Sequence, residues 1–124
     1  MLYSILCYHN EKAVGTWTAE EDAATIARLT AIQEKLAKRG KLGPVIRLMP
    51  TTAATTLRKE SSAPAVVDGP FAETKEQLLG FYVVDCDTRE EVHEVARELS
   101  GANPGGTYEI RPVALFNPVP STIG

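Results

Sequence analysis

The chain has 124 residues, which suits a single domain that can bury a core of useful size. Its 44% hydrophobic and 23% charged residues are typical of an ordinary globular protein. A net charge of −3 gives no basic surface for nucleic acid, and no apolar run approaches the ~20 residues that cross a membrane. Because a signal-peptide pattern is missing and the two cysteines lack a framework spacing, we expect reduced thiols and a cytoplasmic location.

The first predicted element is a strand over residues 2–8. Its residues are aromatic, β-branched or aliphatic, and only Ser4 interrupts the apolar character of its two faces. We therefore expect this strand in the centre of a sheet. Tyr8 and His9 stand at its carboxyl end, where ligands tend to bind in open α/β arrangements. Tyr8 is a candidate for substrate binding, and His9 is either a structural or a catalytic histidine.

A helix is predicted over about residues 19–39, after a loop over residues 10–17. Thr18–Glu21 match a capping box, and apolar residues then recur at spacings of three and four. The inward positions of this helix are Ala, Ile, Leu and one polar residue, Gln33. Trp17, just before the cap, is either an apolar staple, which we prefer, or a pocket wall. The glycine after the helix, at position 40, suits a left-handed cap.

The middle of the chain contains shorter strands. The apolar and Thr-rich runs predict strands over residues 42–49, 51–59 and 65–67, with a turn over residues 60–64. Threonine in this pattern indicates a half-exposed ribbon rather than an array of hydroxyl groups for a ligand. Residues 79–86 are again apolar on both faces, which predicts a second central strand.

The loop before that second central strand has the most distinctive polar groups. Asp68–Pro70 (Asp-Gly-Pro) predict a turn, because the proline fixes its own φ and the glycine has no Cβ. The Asp68 carboxylate either caps this turn or faces a pocket as a catalytic group. Phe71 offers an apolar anchor. Glu73 and Lys75 are candidates for substrate binding, or they form one solvated turn of helix.

The last third of the chain predicts a second helix and a final strand. Thr88–Glu91 form another capping box, and residues 107–115 alternate as a strand does. Arg111 on this strand is either a structural partner, which we favour, or a group that holds an anion. We expect one domain over residues 1–115 and a tail or arm over residues 116–124.

The order of the predicted elements indicates an α+β fold, a ferredoxin-like βαββαβ sandwich with an inserted β-hairpin. Both helices would cover one face of an antiparallel sheet. The central strands are apolar on both faces, and the chain has nothing left to cover the second face. We therefore predict a symmetric homodimer in which the two sheets face each other.

Asp68–Tyr82 (Asp-Gly-Pro-Phe-Ala-Glu-Thr-Lys-Glu-Gln-Leu-Leu-Gly-Phe-Tyr) closely resemble the signature of the DGPF-domain family, the YCII-related proteins. The start of the chain, the run Tyr108–Val113 and the helix spacing between them fit the same family, so the resemblance covers roughly residues 1–114. It implies a dimeric α/β barrel with a pocket between sheet and loops. Members of this branch often lie beside extracytoplasmic-function sigma factors, which implies a bacterial regulatory or stress context.

The resemblance also implies a pair of catalytic residues that this chain does not fully contain. Relatives are thought to pair a histidine of the first helix with an aspartate. Here no histidine occurs between Glu20 and Arg39, so His9 at the strand end is the remaining histidine that could pair with Asp68.

Other chemistries are disfavoured. Cys7 and His9 have an i, i+2 spacing on one strand face that a metal could use, but the spacing to Cys86 has no motif value. Neither a phosphate-binding glycine loop before a helix nor a G-x-S-x-G elbow is present. We expect no metal and no cofactor.

Two hypotheses of different classes remain. In the first, the protein is an isomerase-like or lyase-like enzyme. Asp68 and His9 perform acid–base catalysis on a small molecule that Tyr8, Phe71, Glu73, Lys75 and Arg111 bind. In the second, the dimer is a non-catalytic module that binds a ligand or a partner in a sensor pocket.

Overall fold

The computed structural model describes residues 1–60 and 62–118. Its elements are β1 (Leu2–His9), α1 (Glu11–Gly15), α2 (Ala19–Lys38), β2 (Leu42–Arg47), a 3₁₀ turn (Thr51–Ala53), β3 (Thr55–Arg58), β4 (Ala65–Asp68), β5 (Gln77–Asp85), α3 (Arg89–Ala102) and β6 (Thr107–Pro112). In the described chain, no helix combines the length and the apolar character that a membrane span requires. Residues 119–124 of the expected tail and Ser61 of the expected turn lie outside the described residues.

The main sheet has four antiparallel strands in the order β2-β5-β1-β6. In its centre, Ile5 of β1 pairs with Tyr82 of β5 on one side and with Ile110 of β6 on the other. The predicted central positions of the first strand and of the strand after the Asp-Gly-Pro loop are therefore confirmed. This mixed α+β arrangement is consistent with the ferredoxin-like plan.

Both long helices begin at their predicted caps. The Thr18 hydroxyl accepts a hydrogen bond of 3.0 Å from the Glu21 backbone, and the Thr88 hydroxyl accepts one of 3.1 Å from the Glu91 backbone. Gly40 follows α2 with φ of 70°, the left-handed conformation that the sequence predicts there.

The core lies between the sheet and the two long helices, but the helices contribute unequally. The buried core residues are Tyr3, Ile5, Leu36, Tyr82, Val84, Cys86, Val92, Val95, Ala96 and Leu99. The 14-residue α3 buries five residues, whereas the 20-residue α2 buries only Thr25 and Leu36. Each fully buried aliphatic side chain stabilises the fold by about 1.5–3 kcal/mol, so α3 is the firmly anchored helix. The longer helix α2 is therefore held by fewer buried side chains.

Part of the predicted loop over residues 10–17 is the short helix α1. The Asn10 side chain caps this helix, since its Oδ1 accepts hydrogen bonds of 2.9 and 3.1 Å from the backbone of Lys12 and Ala13. The prediction of a loop was wrong for these five residues. A single turn is too short to show a helical period in the sequence.

The inserted ribbon is a separate two-stranded sheet of β3 and β4. The strand predicted over residues 51–59 is shorter than expected, because a 3₁₀ turn precedes β3. The Glu11 carboxylate holds this turn through hydrogen bonds of 2.7 Å from the Thr51 backbone and 2.6 Å from its hydroxyl. A side chain distant in sequence therefore sets where β3 begins.

The second face of the main sheet is turned away from α2 and α3. By strand alternation it carries Ser4, Leu6, Tyr8, Phe81, Val83, Glu109 and Arg111, and we call it the helix-free face. Leu6 and Phe81 on this face are partly exposed. A sheet face with apolar side chains and no helix over it is available for another surface.

Candidate functional site

A cavity of about 310 Å³ lies beneath the amino-terminal half of α2. Its floor is the helix-covered face of β1, β5 and β6. The polar and aromatic side chains that line it include Cys7, His9, Trp17, Gln33, Tyr82 and Tyr108. Ligand pockets in proteins typically measure about 300–1,000 Å³, so this one suits a small molecule. The weak burial of α2 is the structural origin of the space.

A second cleft of about 720 Å³ adjoins the first, and the two share five lining residues: Val14, Trp17, Asp22, Arg47 and Leu79. Asp22 Oδ1 lies 3.7 Å from Arg47 Nη2, and both side chains are substantially exposed. The charges at the junction of the two clefts are therefore paired with each other. Within the described residues, no group of three or more histidines, cysteines or carboxylates is arranged to hold a metal ion.

The floor of the cavity contains a thiol beside a phenol. Cys7 pairs directly with Tyr108 across β1 and β6, and the two side chains share a hydrogen bond. The Tyr108 hydroxyl also accepts a hydrogen bond of 3.0 Å from the Asn103 amide. Burial raises the pKa of the Cys7 thiol from 9.0 to about 11, which outweighs the opposing effect of Tyr108. The thiol is therefore protonated near neutral pH and is a poor nucleophile there.

A second phenol, Tyr82, lies on the other side of Cys7. Burial raises the pKa of both Tyr82 and Tyr108, so both hydroxyls keep their protons near neutral pH. The side chain of Gln33, on α2, forms a hydrogen bond with Tyr82. The floor is consequently polar but uncharged.

His9 projects into the same cavity with both ring nitrogens engaged. Its Nδ1 accepts a hydrogen bond of 2.7 Å from the Asn10 backbone, and its Nε2 lies 3.2 Å from the Pro104 carbonyl. A backbone N–H can only donate and a carbonyl can only accept, so the neutral ring carries its proton on Nε2. Trp17 stacks edge-on against the ring, with centroids 6.1 Å apart. In this arrangement His9 has no free lone pair with which to take a proton from a ligand.

Two glycines make room for the His9 ring. Gly105 and Gly106 have φ of 74° and 85°, a backbone conformation that other residues rarely adopt. A Cβ on Gly105 would lie 2.7 Å from His9 Nε2, and one on Gly106 would lie 2.5 Å from the Tyr8 carbonyl oxygen. The loop before β6 is therefore shaped around the histidine.

Asp68 stands at the end of β4, exposed to solvent, and lines neither cleft. Its carboxylate accepts no hydrogen bond from the described part of the chain. Backbone groups hold the turn instead: the Gly69 N–H donates to the Ala54 carbonyl at 2.7 Å, and the Thr56 hydroxyl donates to the Gly69 carbonyl at 2.8 Å. Among the described residues, the Asp68 carboxylate makes no capping hydrogen bond, and it lines neither of the two clefts.

The rest of the signature loop is exposed. The Phe71 side chain is 72% exposed, while its carbonyl accepts a hydrogen bond of 2.7 Å from Arg58 Nη2. Glu73 and Lys75 point into solvent, and the Lys75 carbonyl accepts a hydrogen bond of 3.2 Å from the Asn10 amide. The alternative of a solvated helical turn was wrong, because residues 70–76 contain no helix.

Tyr8 and Arg111 lie on the helix-free face, on the opposite side of the sheet from the cavity. Of the predicted catalytic and substrate-binding residues, only His9 lines the cavity, and Trp17 lines it as the pocket wall that was the less favoured alternative. Sequence analysis missed the phenols of Tyr82 and Tyr108, because aromatic residues in apolar strands resemble core. The available signal was Gln33, a polar residue at an inward helix position.

The chain is similar to known sequences along nearly its whole length. The model of the YCII-related domain matches residues 1–117. The chain is 55% identical over 119 residues to the uncharacterized protein R00369 of Rhizobium meliloti (strain 1021), which covers 95% of this chain and 96% of that protein. The Asp-Gly-Pro-Phe signature denotes the same family. The chain therefore belongs to the YCII-related family.

Proposed function

We propose that this protein is a cytoplasmic homodimer that binds a small molecule in the cavity beneath α2. The observation that carries the proposal is the cavity itself: a space of about 310 Å³ under a weakly buried helix, with apolar walls and a few convergent polar groups. Free, unpaired Cys7 and Cys86 support the cytoplasmic location.

Binding is better supported than acid–base catalysis. Asp68 lies outside the cavity, and the lone pair of His9 Nδ1 is occupied by Asn10. The remaining carboxylate at the cavity, Asp22, faces Arg47. A general base must reach the proton that it removes, and the two ordinary bases at the cavity, His9 and Asp22, each already face a partner.

The proposed dimer is a closed α/β barrel in which two helix-free faces meet. The accessible surface is 8711 Å², against roughly 6,500 Å² for a compact monomer of this mass. That excess is larger than the ~800 Å² that each partner of a stable complex usually buries. Tyr8 and Arg111 on the helix-free face become interface residues in this arrangement.

The exposed hairpin of β3 and β4 also supports the proposal that a second subunit packs against this chain. It pairs with no strand of the main sheet, and isolated two-stranded sheets are marginally stable in water. Its cross-strand pair Leu57 and Val66 is exposed, as is Phe71 just after it. A partner subunit that covers these side chains would stabilise the hairpin and the signature loop together.

The binding proposal is tested through Trp17, the only tryptophan of the chain and a wall of the cavity. We would titrate the ¹⁵N-labelled protein with cyclohexanone and follow the Trp17 indole signal by NMR. The expected result is a saturable shift that Leu29→Phe abolishes by filling the cavity. Ala27→Phe is the matched control, since Ala27 is an exposed residue of the same helix. A signal that does not move, or moves equally in both variants, refutes the proposal.

A further inference from the structure

We infer that the cavity selects an uncharged carbonyl compound whose oxygen accepts hydrogen bonds from the hydroxyls of Tyr82 and Tyr108. The ligand class comprises small ketones, esters and amides with an apolar body. This inference rests on the proposed binding function and specifies the ligand of that site.

Both tyrosines line the cavity from the two strands that flank β1. Tyr108 pairs with Cys7 across the sheet, and Tyr82 pairs with Ile5, two residues before Cys7 on the same face of β1. Both phenols interact electrostatically with the Cys7 thiol and with each other. The strands therefore place one phenol on each side of a single sulfur atom.

Both hydroxyls have a proton to donate and only a weak acceptor to receive it. The Asn103 amide donates a 3.0 Å hydrogen bond to the Tyr108 oxygen, and the hydrogen bond between Gln33 and Tyr82 lowers the pKa of Tyr82, so in both contacts the phenol keeps its own proton available to donate. Burial raises the pKa of both phenols, which keeps them protonated. The acceptor beside them, Cys7 sulfur, is weak, and a carbonyl oxygen would replace it readily.

The charges around the cavity argue against an ionic ligand. Arg47 faces Asp22 at the junction of the clefts, and both nitrogens of His9 are engaged. A carboxylate on the floor would lose its hydration without gaining a cation, which is costly in an apolar space. A hydrocarbon would leave the two hydroxyls with the thiol alone. A neutral acceptor avoids both penalties.

The experiment compares three probes on the unmodified protein by the Trp17 indole shift. Cyclohexanone carries the acceptor, methylenecyclohexane has the same shape without it, and cyclohexanecarboxylate carries a charge. We expect cyclohexanone to bind roughly 3- to 10-fold more tightly than methylenecyclohexane, as one or two neutral hydrogen bonds allow. We expect cyclohexanecarboxylate to bind least tightly of the three.

Phenylalanine variants assign the effect to the two hydroxyls. Tyr82→Phe and Tyr108→Phe should each weaken cyclohexanone binding by roughly 3-fold or more and leave methylenecyclohexane binding unchanged. Tyr3→Phe is the control, because Tyr3 is buried in the core and does not line the cavity.

The outcomes separate this inference from the binding proposal. If cyclohexanone and methylenecyclohexane bind equally, the cavity binds small molecules but the inference is overturned. Tightest binding of cyclohexanecarboxylate overturns it too, and so does a Tyr82→Phe or Tyr108→Phe variant that weakens all probes alike. If no probe binds, the binding proposal fails and the inference fails with it. The comparison on the unmodified protein decides the matter even if a variant does not fold.

Discussion

The backbone N–H of Asn10 donates a 2.7 Å hydrogen bond to Nδ1 of His9, the side chain of the residue just before it. This contact turns the histidine ring toward Pro104 and Trp17 and occupies the lone pair that a general base would need. The same Asn10 caps α1 through its side chain. The end of β1, the start of α1 and the histidine are therefore one rigid unit.

The first prediction concerns the tautomer of His9. The neutral ring should carry its proton on Nε2, because Nδ1 accepts from the Asn10 backbone and Nε2 donates to the Pro104 carbonyl. Long-range ¹H–¹⁵N NMR distinguishes the two nitrogens directly. His93, the only other histidine, provides an internal comparison. A proton found on Nδ1 of His9 would show that the hydrogen bond from Asn10 is absent in solution.

The second prediction concerns the loop that surrounds the histidine. Gly105→Ala should lower the free energy of unfolding by more than about 1 kcal/mol, because φ is 74° and the new Cβ would lie 2.7 Å from His9 Nε2. Urea denaturation measures the change. Gly101→Ala is the control: Gly101 lies in α3 with open space around it, and alanine there should leave stability unchanged or raise it. Equal midpoints for the two variants would contradict the prediction.

The third prediction is a dependence on high pH. Burial raises the pKa of the Cys7 thiol from 9.0 to about 11. As the pH rises, the unfolded chain therefore loses this proton at a lower pH than the folded chain does. The contribution of Cys7 to stability should therefore be constant below about pH 9 and be lost as the pH rises from about 9 to 11, the range in which Cys86 contributes in the same direction. At pH 8 the folded Cys7 should also contain about 100-fold less thiolate than an unshifted thiol.

Reaction with a thiol reagent tests the thiolate content. In a Cys86→Ala variant only Cys7 can react, and its labelling rate in the folded protein should rise steeply through the same pH window. The urea-unfolded variant supplies the reference rate. Equal rates in the folded and unfolded states at pH 8 would show that Cys7 is neither buried nor shifted.

The fourth prediction concerns the oligomeric state. Light scattering should give twice the 13.4 kDa mass of one chain at micromolar concentration. Phe71→Ser should shift the protein towards the monomer. Each dimer contains two copies of Phe71, so the free energy of association should weaken by at least about 3 kcal/mol per dimer. Ile26→Ser, on the helix-covered side, should leave the mass unchanged. A monomer for the unmodified chain would remove the proposed barrel.

Local signals were sufficient for most of the fold. The capping threonines at positions 18 and 88 start the helices as predicted, and Gly69 has the positive φ, 96°, that an Asp-Gly-Pro turn permits. The apolar character of both strand faces placed β1 and β5 in the centre of the sheet. These features depend on residues close in sequence, which is why they could be predicted.

The errors have non-local causes. The Thr-rich ribbon begins late because the Glu11 carboxylate, from a different part of the chain, binds the Thr51 backbone and hydroxyl. The start of helix α1 is capped by one side chain, that of Asn10, and asparagine is equally common in loops. Neither contact is visible in hydrophobic periodicity.

The site was the least predictable part. The sequence predicted a site at the Asp68 loop because the residues that form its turn are adjacent in sequence. The cavity is instead assembled from β1, α2, β2, β5 and β6, and its polar residues, such as Tyr82 and Tyr108, have the composition of a core. Only their convergence in space, beneath a helix that buries two residues, distinguishes them from ordinary packing.

The strand order has a consequence for synthesis on the ribosome. Leu2 pairs with Asp85 and Tyr3 with Pro112, so β1 is synthesised long before either of its partner strands. Until then both of its hydrogen-bonding edges are unpaired. Folding is therefore expected to be late and post-translational, with a slow rate that follows from the long loops to be closed. A nascent chain halted before β6 would expose an aggregation-prone edge that a molecular chaperone must cover.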